Sequence, residues 1–434
     1  MKKIYTLITG GLLLLASYTQ STAQCPGNRY HDVLFPALPD STMNVVYGSN
    51  ANWMNSTTSL KMDIYQPHGD TDTLRALIIW AHGGSFIGGA KADMAMLCRD
   101  FSKLGYVTAT MDYRLFMSGL IPGTGSVDSN SAGAAVMRAV HDARAAVRYF
   151  RKNFTEGGNT YGIDTNNIYF GGASAGGFIA LHLAYMNELS EFPSYIDTTG
   201  TTNGWQYGQK GMHGGIEGIS GNQGYSSNIK AIVNLSGAIS DTAWMHTGDV
   251  PVISTHSIGD GTVPYGHAKI FLSGTYPIQY VDGSVVVTIR ANEQGIINCF
   301  KSYTGSDHVP EGSDAGRYDT TITLVRDFLE HFTCGTPITC TSIPTVGVNE
   351  LAADDASIKV FPNPAYNTTT IDLTAFSGKT VSLEMYDALG RKVNDISKIK
   401  ADRYTITRGS LPNGIYMINV IADGKLFSKK IIFE

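Results

Sequence analysis

The segment IYFGGASAGGFIALHLA, residues 168–184, decides how this sequence is read. A short β-prone run ends in glycines, a lone serine stands among them, and an unbroken apolar run suited to a buried helix follows. Between the two runs Gly172-Ala173-Ser174-Ala175-Gly176 forms a GxSxG pentapeptide. At a sharp strand-to-helix turn the neighbours of the serine must be small, because larger side chains would collide with the strand and helix being joined. The turn holds the hydroxyl clear of the sheet and places it at a helix N-terminus, where the helix dipole favours negative charge. A Gly-rich turn packed for its own sake would need neither the strand before nor the helix after. Ser174 therefore reads as a nucleophile.

Working outward, residues from about 30 to 333 alternate strand-like and helix-like runs. ALIIWAH, YVTATMDY, IYFGG, IKAIVNLSG and PVISTHS are strand candidates; KADMAMLCRDFSKLG, AAVMRAVHDARAAVRYFRKN and TLVRDFLEHF read as helices. Such alternation predicts an α/β fold, a mostly parallel doubly wound sheet covered on both faces. DGSVVVTIRANEQG, 282–295, stays open: its valines favour a strand, while the order of elements asks for a helix.

A serine nucleophile needs a base, an acid to orient that base, and fixed donors for the oxyanion. His82-Gly83-Gly84-Ser85-Phe86 directly follows the strand ALIIWA, and its glycines let the backbone approach a substrate. The expected donors are the N–H groups of Gly84 and Ala175, with Gly83 contributing as well. His82 reads as structural, and Ser85 and Phe86 as substrate contacts. PVISTHSIGDGTVPY supplies Asp260 in a Gly-rich turn past a strand, and SYTGSDHVP supplies His308 in another. The order Ser174, Asp260, His308 fits this hydrolase architecture. Asp307, adjacent to His308, is poorly placed to reach that ring's Nδ1; Asp282 is the other candidate acid. Asp112 and Asp142 precede the nucleophile and read as structural, with an ion pair to Arg144 and Arg148 expected for Asp142. His141, His182 and His256 read as satisfied core or surface residues.

Composition sets the outer limits. The 434 residues carry a net charge of −5 and show no basic stripe, so no nucleic-acid partner is expected. Residues 1–23 read as a cleaved export signal: Met1-Lys2-Lys3, a short apolar run, then small residues up to Ala23. The run is too short for an ordinary membrane span, and no transmembrane segment is expected elsewhere. Cys25 raises a lipoprotein reading, against which stands Gln24, a poor fit to the small residues that such anchors use. Of the five cysteines, Cys334 and Cys340 bracket a short loop and are the easiest pair to propose. No CxxC pair or HExxH occurs, so no metal site is indicated, and no cofactor is needed. The expected division is a signal at 1–23, a catalytic domain at 24–334, a Thr- and Pro-rich linker at 335–351 and an all-β sandwich at 352–434.

Two long segments have no place in this alternation. Residues 188–228 are rich in Gly and Ser and carry Trp205, Tyr207 and Tyr225; residues 119–135 are a second candidate wall of the pocket. Trp205 and Tyr207 are candidate substrate contacts by stacking, against the reading that these rings only anchor the loop.

Taken together, HGGSF (82–86), MDYRL (111–115), DARAAVRYFRKN (142–153), YGIDTNNIYFGGASAGG (161–177) and THSIGDGTVPY (255–265) resemble the α/β-hydrolase superfamily. The likeness is to its secreted carboxylesterase and lipase-like branch with an HGG oxyanion loop. It departs in having His256-Ser257 where His-Gly is usual. The tail, with VFPNPAYN (360–367), YDALGRKV (386–393), LPNGIYMINV (411–420) and FSKKIIFE, resembles the C-terminal sorting domain of the type IX secretion system of Bacteroidetes. These resemblances imply a serine ester hydrolase exported through the periplasm and outer membrane to the surface or medium, with the secretion machinery as a partner of the tail. Acetyl or feruloyl esters of polysaccharides are the expected substrates, and acyl lipids the alternative. A peptidase would normally bring a propeller or large cap, and a silent adhesion protein would usually lack a member of the triad.

Overall fold

The computed structural model describes residues 25–115, 129–199, 211–272, 276–338, 358–387, 392–422 and 425–434. The chain divides into two compact units, residues 1–344 and 345–434.

In the first unit the hairpin β1 (Asp40–Ala51) and β2 (Thr57–Gln66) leads into β3 (Arg75–Ala81), helix α1 (Ala95–Lys103), β4 (Val107–Met111), the long helix α2 (Ser129–Glu156), β5 (Ile163–Ala173) and α3 (Ala175–Tyr185). After these come β6 (Ala231–Leu235), β7 (Ala238–Ile239), β8 (Val252–Ser257), the hairpin β9 (His267–Leu272) and β10 (Tyr276–Gly283), α4 (Ser284–Glu293), β11 (Asn298–Tyr303) and α5 (Ala315–Cys334). Eight strands form one sheet in the order β1-β2-β4-β3-β5-β6-β8-β11. The pairs β1–β2 and β2–β4 are antiparallel; every pairing from β4 to β11 is parallel.

Residues of β3 show why the sheet is covered twice. All seven are buried. Leu77, Ile79 and Ala81 point into a core shared with α2 and α3, while Ala76, Ile78 and Trp80 point into one shared with α1 and α5. A strand with two buried faces reads as a continuous apolar run, which is the form ALIIWA takes.

The open segment 282–295 resolves at Gly283, where β10 ends and α4 begins. A Cβ there would lie 1.9 Å from the Pro264 carbonyl oxygen, so the chain turns at a position that cannot carry a side chain. Parallel strands β8 and β11 need a long crossover, and the helix supplies it over the β propensity of Val285–Val287. Val287 and Ala291, one helical turn apart, are its buried side.

Two sequence expectations are corrected. Cys334 is bonded not to Cys340 but to Cys25, 309 residues away in sequence. The pairing ties the start of the described chain to the end of α5 and takes up the Cys25 sulfur that a lipid thioether would use. Cys299 is also disulfide-bonded, and Cys98 is free and buried. Asp142 pairs with Arg114, 2.8 Å away with both side chains fully buried, and not with Arg144 or Arg148. Those two reach Glu217 instead. Along the helix Arg144 and Arg148 are four residues apart and share a face, whereas Asp142, two and six residues before them, lies on another.

These arginines hold the described part of segment 188–228 down. Arg114 donates to Gly211 O and Ser220 Oγ, Arg148 to Glu217 O and Gly221 O, and Arg144 to Ser227 Oγ, at 2.7–3.1 Å. The Tyr225 hydroxyl donates to Glu156 at the end of α2.

In the second unit β12 (Lys359–Phe361), β13 (Thr368–Asp372), β14 (Val381–Asp387), β15 (Lys392–Ile399), β16 (Arg403–Thr407), β17 (Gly414–Ala422) and β18 (Lys425–Phe433) form two antiparallel sheets, β12-β13-β16 and β15-β14-β17-β18. One core joins Ile371 and Ile406 of the first sheet to Leu383, Ile418 and Val420 of the second. Burial alternates along β17, as a strand with one dry face requires.

Candidate active site

Three parallel strands end at the same rim of the sheet, and each delivers one part of the site. At the end of β5 Ser174 takes φ 56° and ψ −117° and caps α3. The glycines around it are forced by contact. A Cβ on Gly172 would lie 2.3 Å from the Gly176 carbonyl carbon, and one on Gly176 would lie 2.0 Å from Ala81 O. Strand, turn and helix are thus packed backbone to backbone, and the serine is held up at their junction.

Asp260, in the turn after β8, and His308, in the turn after β11, close on this serine. The Ser174 hydroxyl lies 2.7 Å from His308 Nε2, and His308 Nδ1 lies 2.7 Å from Asp260 Oδ2. With Nδ1–H donating to the carboxylate, Nε2 is free to accept from the serine. The Asp260 side chain is fully buried. Burial opposes its charge, but hydrogen bonds from His256 and His308, the charge of His308 and the Thr262 N–H outweigh it and hold the carboxyl well below its usual range. His256, which sequence reading left in the core, is in contact with this acid: its Nε2 lies 3.2 Å from Asp260 Oδ2 and 3.1 Å from Val263 O. Its Nδ1 meets the Ser284 hydroxyl at 2.8 Å.

The rival acids have other partners. Asp307 pairs with Arg317, and Asp282 accepts from His267 Nδ1 and from the Thr242 hydroxyl and N–H at 2.7–2.9 Å. His141 and His182 are core residues, one bonded to Gly215 O and the other to Phe178 O and Ser240 Oγ; burial pushes them down to about 3 and about 4.

After β3 the loop from His82 packs closely on Ser174: a Cβ on Gly83 would press on Ser174 Cβ and Ala173 O, each 3.2 Å away. The Gly83 carbonyl accepts from His82 Nδ1 at 2.6 Å and from the Tyr113 hydroxyl at 3.4 Å. The Gly84 carbonyl accepts from the Ile87 and Gly88 N–H groups at 3.0 Å. In a planar trans peptide N–H points opposite to C=O, so the N–H groups of Gly84 and Ser85 are turned away from these partners. Ala175 opens α3, where helical N–H groups have no partner within the helix. Ser85 and Phe86 hold φ of 54° and 59°, a left-handed conformation that costs energy in residues with side chains. His82 is buried, stacks on Tyr113 with ring centroids 4.4 Å apart and is kept neutral by burial. Tyr113 and Arg114 of MDYRL are thus a brace: one ties the His82 and Gly83 carbonyls, the other holds Asp142 of α2.

The serine lines one hollow, and a second lies beside the loop of Gly83 and Gly84. One, of about 270 Å³, is mostly apolar and runs from Ser174, Ala175 and Ser85 past Phe86 and Phe178 to Ile278 of β10. Ala132 and Val136 line it from α2, so the described end of segment 119–135 does form a wall. The hairpin β9–β10 gives the opposite wall, which sequence reading missed; the alternating residues on either side of Ser273-Gly274-Thr275 in the sequence were its signal. The other hollow, of about 330 Å³, lies between the loop of Gly83 and Gly84 and the turn that follows His308. Of the expected substrate contacts, Ser85 and Phe86 line the first hollow, whereas Trp205 and Tyr207 lie outside the described residues.

The family model BD-FAE matches residues 62–289, 228 of the 434 residues. The chain belongs to the BD-FAE family. It is an esterase-type α/β-hydrolase. In this BD-FAE chain the match takes in Ser174 and Asp260 and ends before His308. A second model, the secretion system C-terminal sorting domain, matches residues 359–434. Such a domain implies export to the cell surface or medium. Among the described residues no helix is long and apolar enough to cross a membrane. Among solved structures, the apo form of Thermogutta terrifontis esterase 2 is 19% identical, with 70% of this chain and 98% of that chain covered and a TM-score of 0.47. The propionate-bound form of the same enzyme is 18% identical, covering 69% and 96%, with a TM-score of 0.46.

Proposed function

We propose that this protein is an exported serine carboxylic-ester hydrolase acting through an acyl-enzyme. Ser174 attacks the ester carbonyl and passes its proton to His308 Nε2, while Asp260 holds the imidazolium at Nδ1. The N–H groups of Gly84 and Ala175, with Gly83 and Ser85 from the same loop, are the donors for the oxyanion. His308 then gives its proton to the leaving alcohol, activates a water as base, and the acid is released. No cofactor is needed. The observation that carries this reading is the continuous pair of 2.7 Å contacts from Ser174 to His308 to Asp260 at the mouth of an apolar hollow.

The substrates proposed are acetyl or feruloyl esters of polysaccharides. The volume of about 270 Å³ supports an acetyl group or one aromatic ring as the acyl half, since pockets for drug-sized ligands run from about 300 to 1,000 Å³. The domain scheme is proposed with it: a signal at 1–23, the hydrolase at 24–334, a linker at 335–351 and the sorting domain at 352–434.

The test is turnover of p-nitrophenyl acetate, p-nitrophenyl decanoate and methyl ferulate by the wild type and by Ser174→Ala. Loss of turnover in the variant with acetate or ferulate preferred is expected. Equal turnover in the variant ends the serine mechanism, and preference for the decanoate moves the substrate to acyl lipids.

A further inference from the structure

The acid Asp260 is held from two sides, and the second side lies outside the triad. Its Oδ1 accepts from the Thr262 and Val263 N–H groups of its own turn at 2.8 and 3.1 Å. Its Oδ2 lies between two imidazoles, with His308 Nδ1 at 2.7 Å and His256 Nε2 at 3.2 Å. His256 is fully buried and lines neither hollow.

The partners of His256 fix where its hydrogen sits. Nε2 meets only acceptors, the Asp260 carboxylate and Val263 O, so it carries the hydrogen. Nδ1 meets the Ser284 hydroxyl at 2.8 Å. That hydroxyl accepts from Asn234 Nδ2 at 3.0 Å, and the Gly237 N–H orients Asn234 by donating to its Oδ1 at 2.9 Å. The Ser284 hydrogen therefore goes to Nδ1, which is nearer than the other acceptor, Gly237 O at 3.3 Å. Every hydrogen of this chain points towards the acid: Asn234 to Ser284, Ser284 to His256, His256 to Asp260. Asn234 on β6, His256 on β8 and Ser284 at the first residue of α4 are all fully buried, so three packed elements carry the chain. Fixed dipoles in such an interior act on a charge without first having to reorient.

We propose that His256 is a positioning residue of the triad: its Nε2–H holds the Asp260 carboxylate in line with His308 and draws part of its negative charge away from that ring. The inference rests on the serine-esterase reading above and concerns the same site. Without this donor the carboxylate keeps only its amide bonds at Oδ1 and can tilt, so His308 is aligned less often and kcat falls. More of the charge then faces His308, its imidazolium is favoured, and the ring releases its proton at higher pH. Substrate binding is untouched, because His256 does not reach the hollow that Ser174 lines.

The experiment measures kcat, KM and the pH profile of kcat/KM on p-nitrophenyl acetate for the full chain and its His256→Phe, His256→Gln and Ser284→Ala variants, with folding checked by circular dichroism. Phenylalanine keeps a ring and loses the donor. Glutamine carries an amide N–H as many bonds from the backbone as Nε2. His256→Phe should lower kcat by about tenfold or more at unchanged KM and move the acid limb upward by about half a pH unit or more. His256→Gln should recover most of both. Ser284→Ala removes the donor to Nδ1 and should shift kcat and the limb the same way by less; Asn234 keeps the Ser254 hydroxyl, so this variant carries the test if His256→Phe does not fold. Asp260, Glu311, the pair of Asp307 with Arg317, and Tyr265, whose ring meets His256 edge-on, surround the two imidazoles and are the same in every variant. A wild-type kcat and limb in His256→Phe, or in Ser284→Ala where the former does not fold, overturns the proposal. A lower kcat with an unmoved limb and no recovery in His256→Gln marks a merely structural residue and overturns it as well. Hydrolysis that survives Ser174→Ala is the separate result that ends the serine-esterase reading.

Discussion

Replacing Glu311 by Gln should change how the stability of the hydrolase unit depends on pH. Burial pushes this carboxyl up to about 7 from its usual 4.5, against smaller opposing effects of its own N–H, the Thr255 hydroxyl and the His308 charge. In the unfolded chain it ionises near 4.5. Between those values the native state holds a proton that the unfolded state has lost. Stability therefore falls as pH rises through this window and levels off above it. At about 1.4 kcal/mol per pH unit the whole effect is roughly 3 kcal/mol. A glutamine has the same shape and no charge to bury. The advantage of Glu311→Gln over the wild type should thus grow from near zero at pH 4.5 to roughly 3 kcal/mol at pH 8.

The assay is urea unfolding of the full chain at intervals from pH 4.5 to 9, followed by tryptophan fluorescence. Trp53, Trp80, Trp205 and Trp244 all precede the sorting domain, so the signal reports the hydrolase unit alone. Asp93, Tyr318 and His308 are near Glu311 and present in both proteins, which is why the difference between the two is the quantity to read. Running the pair again in a His308→Gln background removes the coupling to that ring. A difference that stays flat with pH would refute the reasoning, because Glu311 would then be ionised and solvated in the native state.

Asp260→Asn should lower kcat by about 10⁴-fold, because His308 loses the acceptor that fixes its tautomer, and should also lower stability, since the hydrogen bonds that favour the buried carboxylate exist only in the native state; steady-state kinetics beside a denaturation curve checks both. Arg114→Met should destabilise by about 3–5 kcal/mol, since it strands Asp142 in a fully buried position, and Arg114→Met with Asp142→Leu should recover much of the loss. Gly176→Ala should both destabilise the fold by about 1–3 kcal/mol and reduce kcat, because the added Cβ would lie 2.0 Å from Ala81 O and must displace the serine turn; a denaturation curve beside steady-state kinetics checks both.

The parts of the molecule that were readable in the sequence are those where one local constraint excludes everything else. Ser174 needs small neighbours on both sides, and Gly172 and Gly176 leave no room for a methyl group. The buried strands β3, β4, β6 and β8 read as apolar runs because both sheet faces are dry. The hairpin β1–β2 was not read, since β1 is largely exposed and carries no apolar run. Partners across long sequence distances were equally silent. Nothing near Cys334 pointed to Cys25, and Asp142 took Arg114 from a loop after β4 over two arginines on its own helix. Loop closure joins such residues, and only the folded topology says which ones meet. Glu311 escaped notice for the same reason: three residues past His308 it looks like a surface glutamate, and only the packed turn turns it inward.

Selection at this site follows from the way the sheet presents the serine. Strand β5 delivers Ser174 beside the loop after β3, while α2 and the β9–β10 hairpin close the hollow beyond Phe86 and Phe178. These walls are helix and hairpin residues with few polar groups, so what they can select is the size and flatness of an acyl group. Ile278→Ala removes three carbons from the far wall and should shift the ratio of kcat/KM for p-nitrophenyl decanoate over p-nitrophenyl acetate upward by about tenfold. An unchanged ratio would mean that the acyl group does not reach the hairpin, and the assignment of this hollow to the acyl half would fall.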